Sequence, residues 1–128
     1  MKIKGFTLIE VMIVIVIVGV LAILFIPNMQ APIEKSRSKN GAFNLQAIYS
    51  AQKRYLLSER SYYTSNNTDS INRNLSININ DTYFSYNITP LGSGYLARAV
   101  RTDGKCKGAN MTVTHDNSTV KKTGCAAW

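Results

Sequence analysis

Glu10 is the one charged residue in the stretch Phe6–Ile26, "FTLIEVMIVIVIVGVLAILFI". A carboxylate placed inside an apolar helix needs a cation or a set of hydrogen-bond donors, because hydrocarbon solvates it poorly. No Lys, Arg or His follows Glu10 within the run, so a cationic partner must come from elsewhere. Lys4, in the leader "MKIKG", is one source. A second source is a cation made by cutting the chain. Cleavage after Gly5 would turn the nitrogen of Phe6 into an amine at the same end of the helix. A second copy, shifted along the axis, could then set that amine against Glu10. Gly5 suits such a cut, since it lets the backbone enter a protease cleft in extended form.

The other reactive residue types are sparse. Cys106 and Cys125 are the two cysteines. An even count favours a bridge if the chain is exported, whereas a cytosolic chain would keep two free thiols. A bridge over a loop of this size contributes about 3 kcal/mol in the chain-entropy view. No CxxC or Cys/His cluster is present, so a zinc site is not expected. His115 is the sole histidine and falls in a predicted strand, where it reads as a surface residue. Glu59, Asp69, Asp81, Asp103 and Asp116 are scattered, with no EF-hand spacing. There is no G-x-S-x-G, P-loop or H-E-x-x-H. Neither an enzyme nor a cofactor is expected.

The net charge is +8, and Arg98, Arg101, Lys105, Lys107, Lys121 and Lys122 concentrate in the last third. Such a group is either a solvated basic surface or a patch for an anionic polymer such as nucleic acid, whose binding would fall steeply with salt.

The elements that hold these residues follow from pattern. The apolar run has 21 residues, about 31 Å as a helix, which matches the hydrocarbon thickness of a bilayer. Lys2 and Lys4 precede it, which predicts a cytoplasmic N-terminus and an outward head. The run is too long for a secretory signal and no A-x-A pattern follows it. Pro27 is expected to kink or end this helix, and Pro32 to repeat the disturbance.

From Ile33 to about Leu57 the apolar residues have helical period: Leu45, Ile48, Gln52 and Tyr55 share a face, widened by Tyr49 and Leu56. Glu34, Lys35, Arg37 and Lys39 read as solvent-facing, and Gly41 as a local cost. Residues 58–82 read as a polar connecting loop with little regular structure, with Tyr62 and Tyr63 packed on the helix end. Alternation then predicts strands. Phe84, Tyr86 and Ile88 share a face; Tyr95, Ala97 and Ala99 oppose Leu96, Arg98 and Val100; Met111, Val113 and His115 lie together; and "STVKK" forms a short last strand. Residues 90–94 are a turn-rich connector. The fold class is α+β: a long N-terminal helix, half membrane-spanning and half amphipathic, on an antiparallel sheet of three or four strands. Trp128 packs on the sheet edge.

The hexapeptide "GFTLIE", a short basic leader and an apolar helix together resemble the precursor of a type IV pilin or of its type II secretion relative, the pseudopilin. The resemblance implies a leader of residues 1–5 removed by a prepilin peptidase between Gly5 and Phe6, and N-methylation of Phe6 by the same enzyme. It implies a polymerisation helix over 6–27, an amphipathic helix over 28–57 and a head over 58–128, with the sheet at 83–121. Gly19 and Pro27 fall where the family often places a glycine and a proline, and family filaments unwind locally between them. Cys106 and Cys125 would close a C-terminal loop. The expected partners are identical or related subunits, the peptidase, an inner-membrane assembly platform and, before assembly, the membrane itself. The implied role is a pilus subunit for motility, attachment or DNA uptake, single-pass in the inner membrane first and extracellular after assembly. The alternatives are a pseudopilin of a type II secretion system and a DNA-binding minor pilin.

Overall fold

The computed structural model describes residues 4–26 and 29–128. The chain divides into two compact units, Met1–Ala31 and Pro32–Trp128.

In the first unit, α1 spans Leu8–Leu24 and buries none of its residues. It is apolar around its whole circumference, which marks a helix surrounded by other helices or by lipid. The helix is 17 residues long. No helix among the described residues is long and apolar enough to cross a membrane. The expected span of residues 6–27 therefore is not one described helix: α1 stops at Leu24, and Pro27 lies outside the described residues. Gly19 is helical, with open space where a Cβ would sit.

The helix α2 spans Gln30–Glu59. Pro32 sits in its first turn and does not break it. The first four N–H groups of a helix have no intrahelical acceptor, so a missing donor costs nothing there. The buried stripe of α2 is Glu34, Ser38, Gly41, Leu45, Ile48, Ala51 and Gln52. Leu45, Ile48 and Gln52 are thus where the periodicity places them, and Tyr55 is half-buried. Glu34 is the exception: it is buried rather than solvent-facing.

A short helix, α3 (Thr68–Leu75), stands in the segment expected to be loop. Asn67 caps it, its Oδ1 accepting from the N–H groups of Asp69 at 2.8 Å and Ser70 at 3.3 Å. Only Ile71 and Leu75 are buried on α3, an i, i+4 pair too brief to stand out among polar residues.

Four strands follow: β1 (Phe84–Leu91), β2 (Gly94–Arg101), β3 (Asn110–Thr114) and β4 (Asn117–Thr123). They form an antiparallel meander in the order β1-β2-β3-β4. Ile88 lies opposite Ala97, and Ala97 opposite Val113, so one inner row crosses three strands. Pro90 and Leu91 belong to β1, and the connector narrows to a turn with Gly92 at φ +58°. The free edge of β1 is partly covered by a bridge from Ser65 to Ile88.

The core lies between α2, α3 and the inner face of the sheet. Leu45, Ile48, Ile71, Tyr86, Ile88, Tyr95, Ala97, Ala99, Met111 and Val113 are its buried members. Small alanines on β2 and Gly41 on α2 let helix and sheet approach closely: a Cβ at Gly41 would overlap Met111 Cε and crowd Phe84. The residue that costs helix propensity is therefore a packing residue. Gln52, fully buried, spends its amide on the backbone of Tyr63, donating to the carbonyl at 2.6 Å and accepting from the N–H at 3.0 Å. Tyr63 also packs on Tyr55, with ring centroids 5.7 Å apart, which places it on the helix end as expected. Trp128 packs on Phe84 of the edge strand β1, with centroids 5.8 Å apart. His115 is not a strand surface residue. It stands in the β3–β4 turn, half-buried, against Gly94, Tyr95 and Tyr62.

Candidate assembly site and the disulfide-closed head

Glu10 is already engaged within its own chain. Thr7 is the N-cap of α1: its hydroxyl accepts from the Glu10 N–H at 3.3 Å. Glu10 Oε2 in return accepts from the Thr7 N–H at 2.9 Å and from the Thr7 hydroxyl at 3.0 Å. This is a capping box, built because "T-L-I-E" puts a hydroxyl and a carboxylate three residues apart at a helix start. The carboxylate also faces the positive end of the helix dipole. Two donors and a dipole thus make the acid tolerable without a cation. Oε2 carries both bonds, while Oε1 has no hydrogen-bond partner among the described residues. Gly5 and Phe6 are exposed and non-helical just before the cap.

The box survives the expected cut. Cleavage between Gly5 and Phe6 frees the nitrogen of Phe6. The N–H that Glu10 uses belongs to Thr7, inside the Phe6–Thr7 peptide bond.

In the second unit, Cys106 and Cys125 are bonded to each other, with Cα atoms 5.4 Å apart. The bridge joins the loop after β2 to the segment after β4 and closes around the β3–β4 hairpin. Replacing both cysteines by serine should lower the unfolding free energy by about 3 kcal/mol, from loop length alone. Urea titration of the full chain in detergent, followed through Trp128 fluorescence, measures it.

The six basic residues do not form one patch. Arg98 lies opposite Thr112, and Thr112 opposite Lys121, so Arg98 and Lys121 share the outer face of the sheet. Lys105 and Lys107 are exposed in the disulfide-closed loop. Lys122 points the other way and donates to Ser38 Oγ on α2 at 3.0 Å. Arg101 is 1% exposed and is withdrawn from any anion-binding surface.

Arg101 instead organises a buried ionic cluster. Its Nε and Nη2 donate to the two oxygens of Glu34 at 3.1 and 2.8 Å, a bidentate pair across 67 residues of sequence. Its Nη1 donates to Asp103 at 2.6 Å and to the Tyr83 carbonyl at 3.0 Å. Arg37 adds a contact to Glu34 at 2.9 Å and stacks 4.1 Å from the Tyr83 ring centroid. Hydrogen bonds from Arg101 hold the Glu34 carboxyl below the usual carboxylate range against the opposing effect of burial, with Arg37 helping. Sequence reading missed this cluster, although a signal existed. The stripe Leu45, Ile48, Gln52 extends backwards at spacings of three and four through Gly41 and Ser38 to Glu34.

The N-terminal stretch is similar in sequence to known proteins. The family model described as the prokaryotic N-terminal methylation motif matches residues 1–26. Type II secretion system core protein G of Escherichia coli K12 is 42% identical over 65 residues, 51% of this chain and 45% of that protein. The type IV major pilin protein PilA of Myxococcus xanthus DK1622 is 44% identical over 61 residues, 48% of this chain and 27% of that protein. Through this N-terminal half the chain is similar both to a type IV pilin and to type II secretion core proteins. Core protein G of Aeromonas hydrophila is similar to the same extent, 41% over 61 residues, covering 48% of this chain and 43% of that protein. The chain spans less than half the length of these curated relatives. No solved structure matches it. The Thr7–Glu10 box lies inside the matched motif.

Proposed function

We propose that the chain is a structural subunit of a type IV pilus, cut after Gly5, N-methylated on Phe6 and polymerised through its apolar N-terminal helix. The observation that carries this reading is the methylation motif over residues 1–26, set at the start of a helix that buries none of its own apolar side chains. Before assembly, the apolar run Phe6–Ile26 rests in the inner membrane with the N-terminus cytoplasmic. Helices leaving lipid for one another gain no classical hydrophobic free energy, so close packing and polar pairing steer the assembly. Gly19 contributes a small surface to that packing. The Glu10 oxygen left free by the capping box takes the Phe6 amine of the next copy. One ion pair per subunit then fixes the axial step.

A second reading, a pseudopilin of a type II secretion system, draws on the similarity to core protein G. The disulfide-closed loop supports the pilus, since major pseudopilins generally lack such a bridge. The test is electron microscopy of filaments sheared from the surface of cells expressing the chain, with mass spectrometry of their N-termini. Long surface filaments that start at a methylated Phe6 support the pilus. Processed protein with no surface filaments, together with a secretion defect on deletion, supports the pseudopilin.

A further inference from the structure

A cavity of about 220 Å³ lies in the second unit. Asn40, Phe43 and Asn44 of α2 line one side; Asn80, Asp81 and Tyr83, from the segment entering β1, line the other. We propose that this cavity is a binding site for a neutral saccharide, with the Phe43 ring as its stacking platform. The proposal does not rest on the filament reading.

Three observations select the ligand class. First, Phe43 is 70% exposed on a helix face that is otherwise polar, and Tyr83, also exposed, shares the cavity with it. An aromatic face held in water at a concave site offers apolar contact to the C–H face of a sugar ring. Second, the polar side chains of the lining are three amides, the hydroxyls of Thr82 and Tyr83 and one carboxylate, with no cationic side chain among the described lining residues. In a chain of net charge +8, the one charged group in the described lining is the Asp81 carboxylate, which disfavours sulfated, phosphorylated or acidic ligands. The nearby Arg37 and Arg101 guanidinium groups are engaged by Glu34, Asp103 and the Tyr83 ring. The amide rim disfavours a purely apolar one. A metal ion has only one carboxylate to bind, and no metal-holding cluster occurs among the described residues.

Third, the polar groups are preorganised. Asp81 Oδ2 accepts from the Tyr86 hydroxyl at 2.6 Å and from Asn44 Nδ2 at 3.2 Å. Its Oδ1 accepts from the N–H groups of Tyr83 at 2.8 Å and Phe84 at 3.3 Å. Asn44 Nδ2 also donates to the Tyr86 hydroxyl at 2.9 Å, so its carbonyl oxygen is left to a ligand. Tyr83 is held by the guanidinium groups of Arg37 and Arg101, 4.1 and 5.1 Å from its ring centroid. Hydroxyl groups would meet acceptors that are already fixed, so little ordering cost opposes binding.

The full chain in detergent micelles, titrated with glucose, galactose and N-acetylglucosamine, tests the site. Saturation-transfer NMR reads the sugars, and glucuronate serves as the acidic comparison. At least one neutral sugar should bind saturably, and glucuronate should bind more weakly than glucose. Phe43→Ala should weaken the binding about tenfold through loss of the aromatic face. Leu57→Ala, a still more exposed apolar position elsewhere on α2, should leave it unchanged. No saturable binding by any of the three sugars overturns the proposal, as does binding indifferent to Phe43→Ala. So does a Phe43→Ala variant that binds no less sugar but loses self-association, because the face would then belong to a second copy.

Discussion

Cells expressing Glu10→Val should process and methylate the chain normally yet grow no filaments. The substitution keeps the apolar helix and removes only the carboxylate. The leader, Gly5 and Phe6 are unaltered, so the cut and the methylation have their substrate. On the proposed assembly, two functions of Glu10 are lost together. The capping box disappears, at a cost of about 1 kcal/mol to the helix start. The counter-charge for the neighbouring amine also disappears, and that loss is the larger one. An unpaired ammonium among apolar helices carries a desolvation penalty of several kcal/mol at every subunit.

Glu10→Gln separates the two functions. Glutamine can still complete the box with Thr7, but it brings no charge. If Glu10→Gln assembles like the parent chain, the capping box was the requirement and the ion pair was not. If it fails as Glu10→Val does, the charge was the requirement. Filament counts by electron microscopy and intact-mass measurement of membrane-extracted subunits read both quantities. Wild-type filaments from Glu10→Val would remove the register argument altogether.

The second large effect is in the head. Arg101→Met should destabilise the second unit by about 3 kcal/mol, because it leaves Glu34 buried with only the half-exposed Arg37 as partner. The double variant Glu34→Leu/Arg101→Met should recover most of that loss, since replacing both charges by apolar groups removes the desolvation cost along with the attraction. Urea titration followed through Trp128, the single tryptophan, reports on the right place, because Trp128 and Arg101 both approach the Phe84 ring. Additive single and double variants would show that the bidentate pair couples nothing.

The same pair predicts a pH dependence, with a definite sign. Glu34 has a folded value below its ordinary 4.5. In the acid range the unfolded chain therefore binds more protons than the folded one. The stability Glu34 contributes is fully present above the ordinary carboxylate range and is lost as pH falls through the folded value. Glu34→Gln should flatten that acid limb of the stability curve.

How far the sequence reaches depends on the distance over which each feature is determined. The N-terminal motif is local. Gly5, Phe6, Thr7 and Glu10 lie within six residues, and the capping box needs nothing beyond the helix start. The strands were legible for the same reason: alternation with a period of two is written along each one, and Phe84, Tyr86 and Ile88 turned inward as their spacing requires. The half-helix over Leu45, Ile48 and Gln52 was legible by its period as well.

Features that depend on a partner far along the chain were not legible. Arg101 looked like one more surface cation, and only the seating of β2 against the start of α2 turned it into the partner of Glu34. Lys122 and Lys121 are neighbours in sequence, yet the strand pleat sends one to Ser38 on α2 and the other to the outer face. The short helix α3 hid because its polar residues outnumber Ile71 and Leu75, and its stability comes from burying those two against the sheet. The sequence by itself determined the capped helix start, the class of fold and the inward faces, because propensity and periodicity act within a few residues. The tertiary structure alone decided which charges are buried and paired and which polar side chains surround Phe43, because desolvation is a property of the packed neighbourhood and not of the residue.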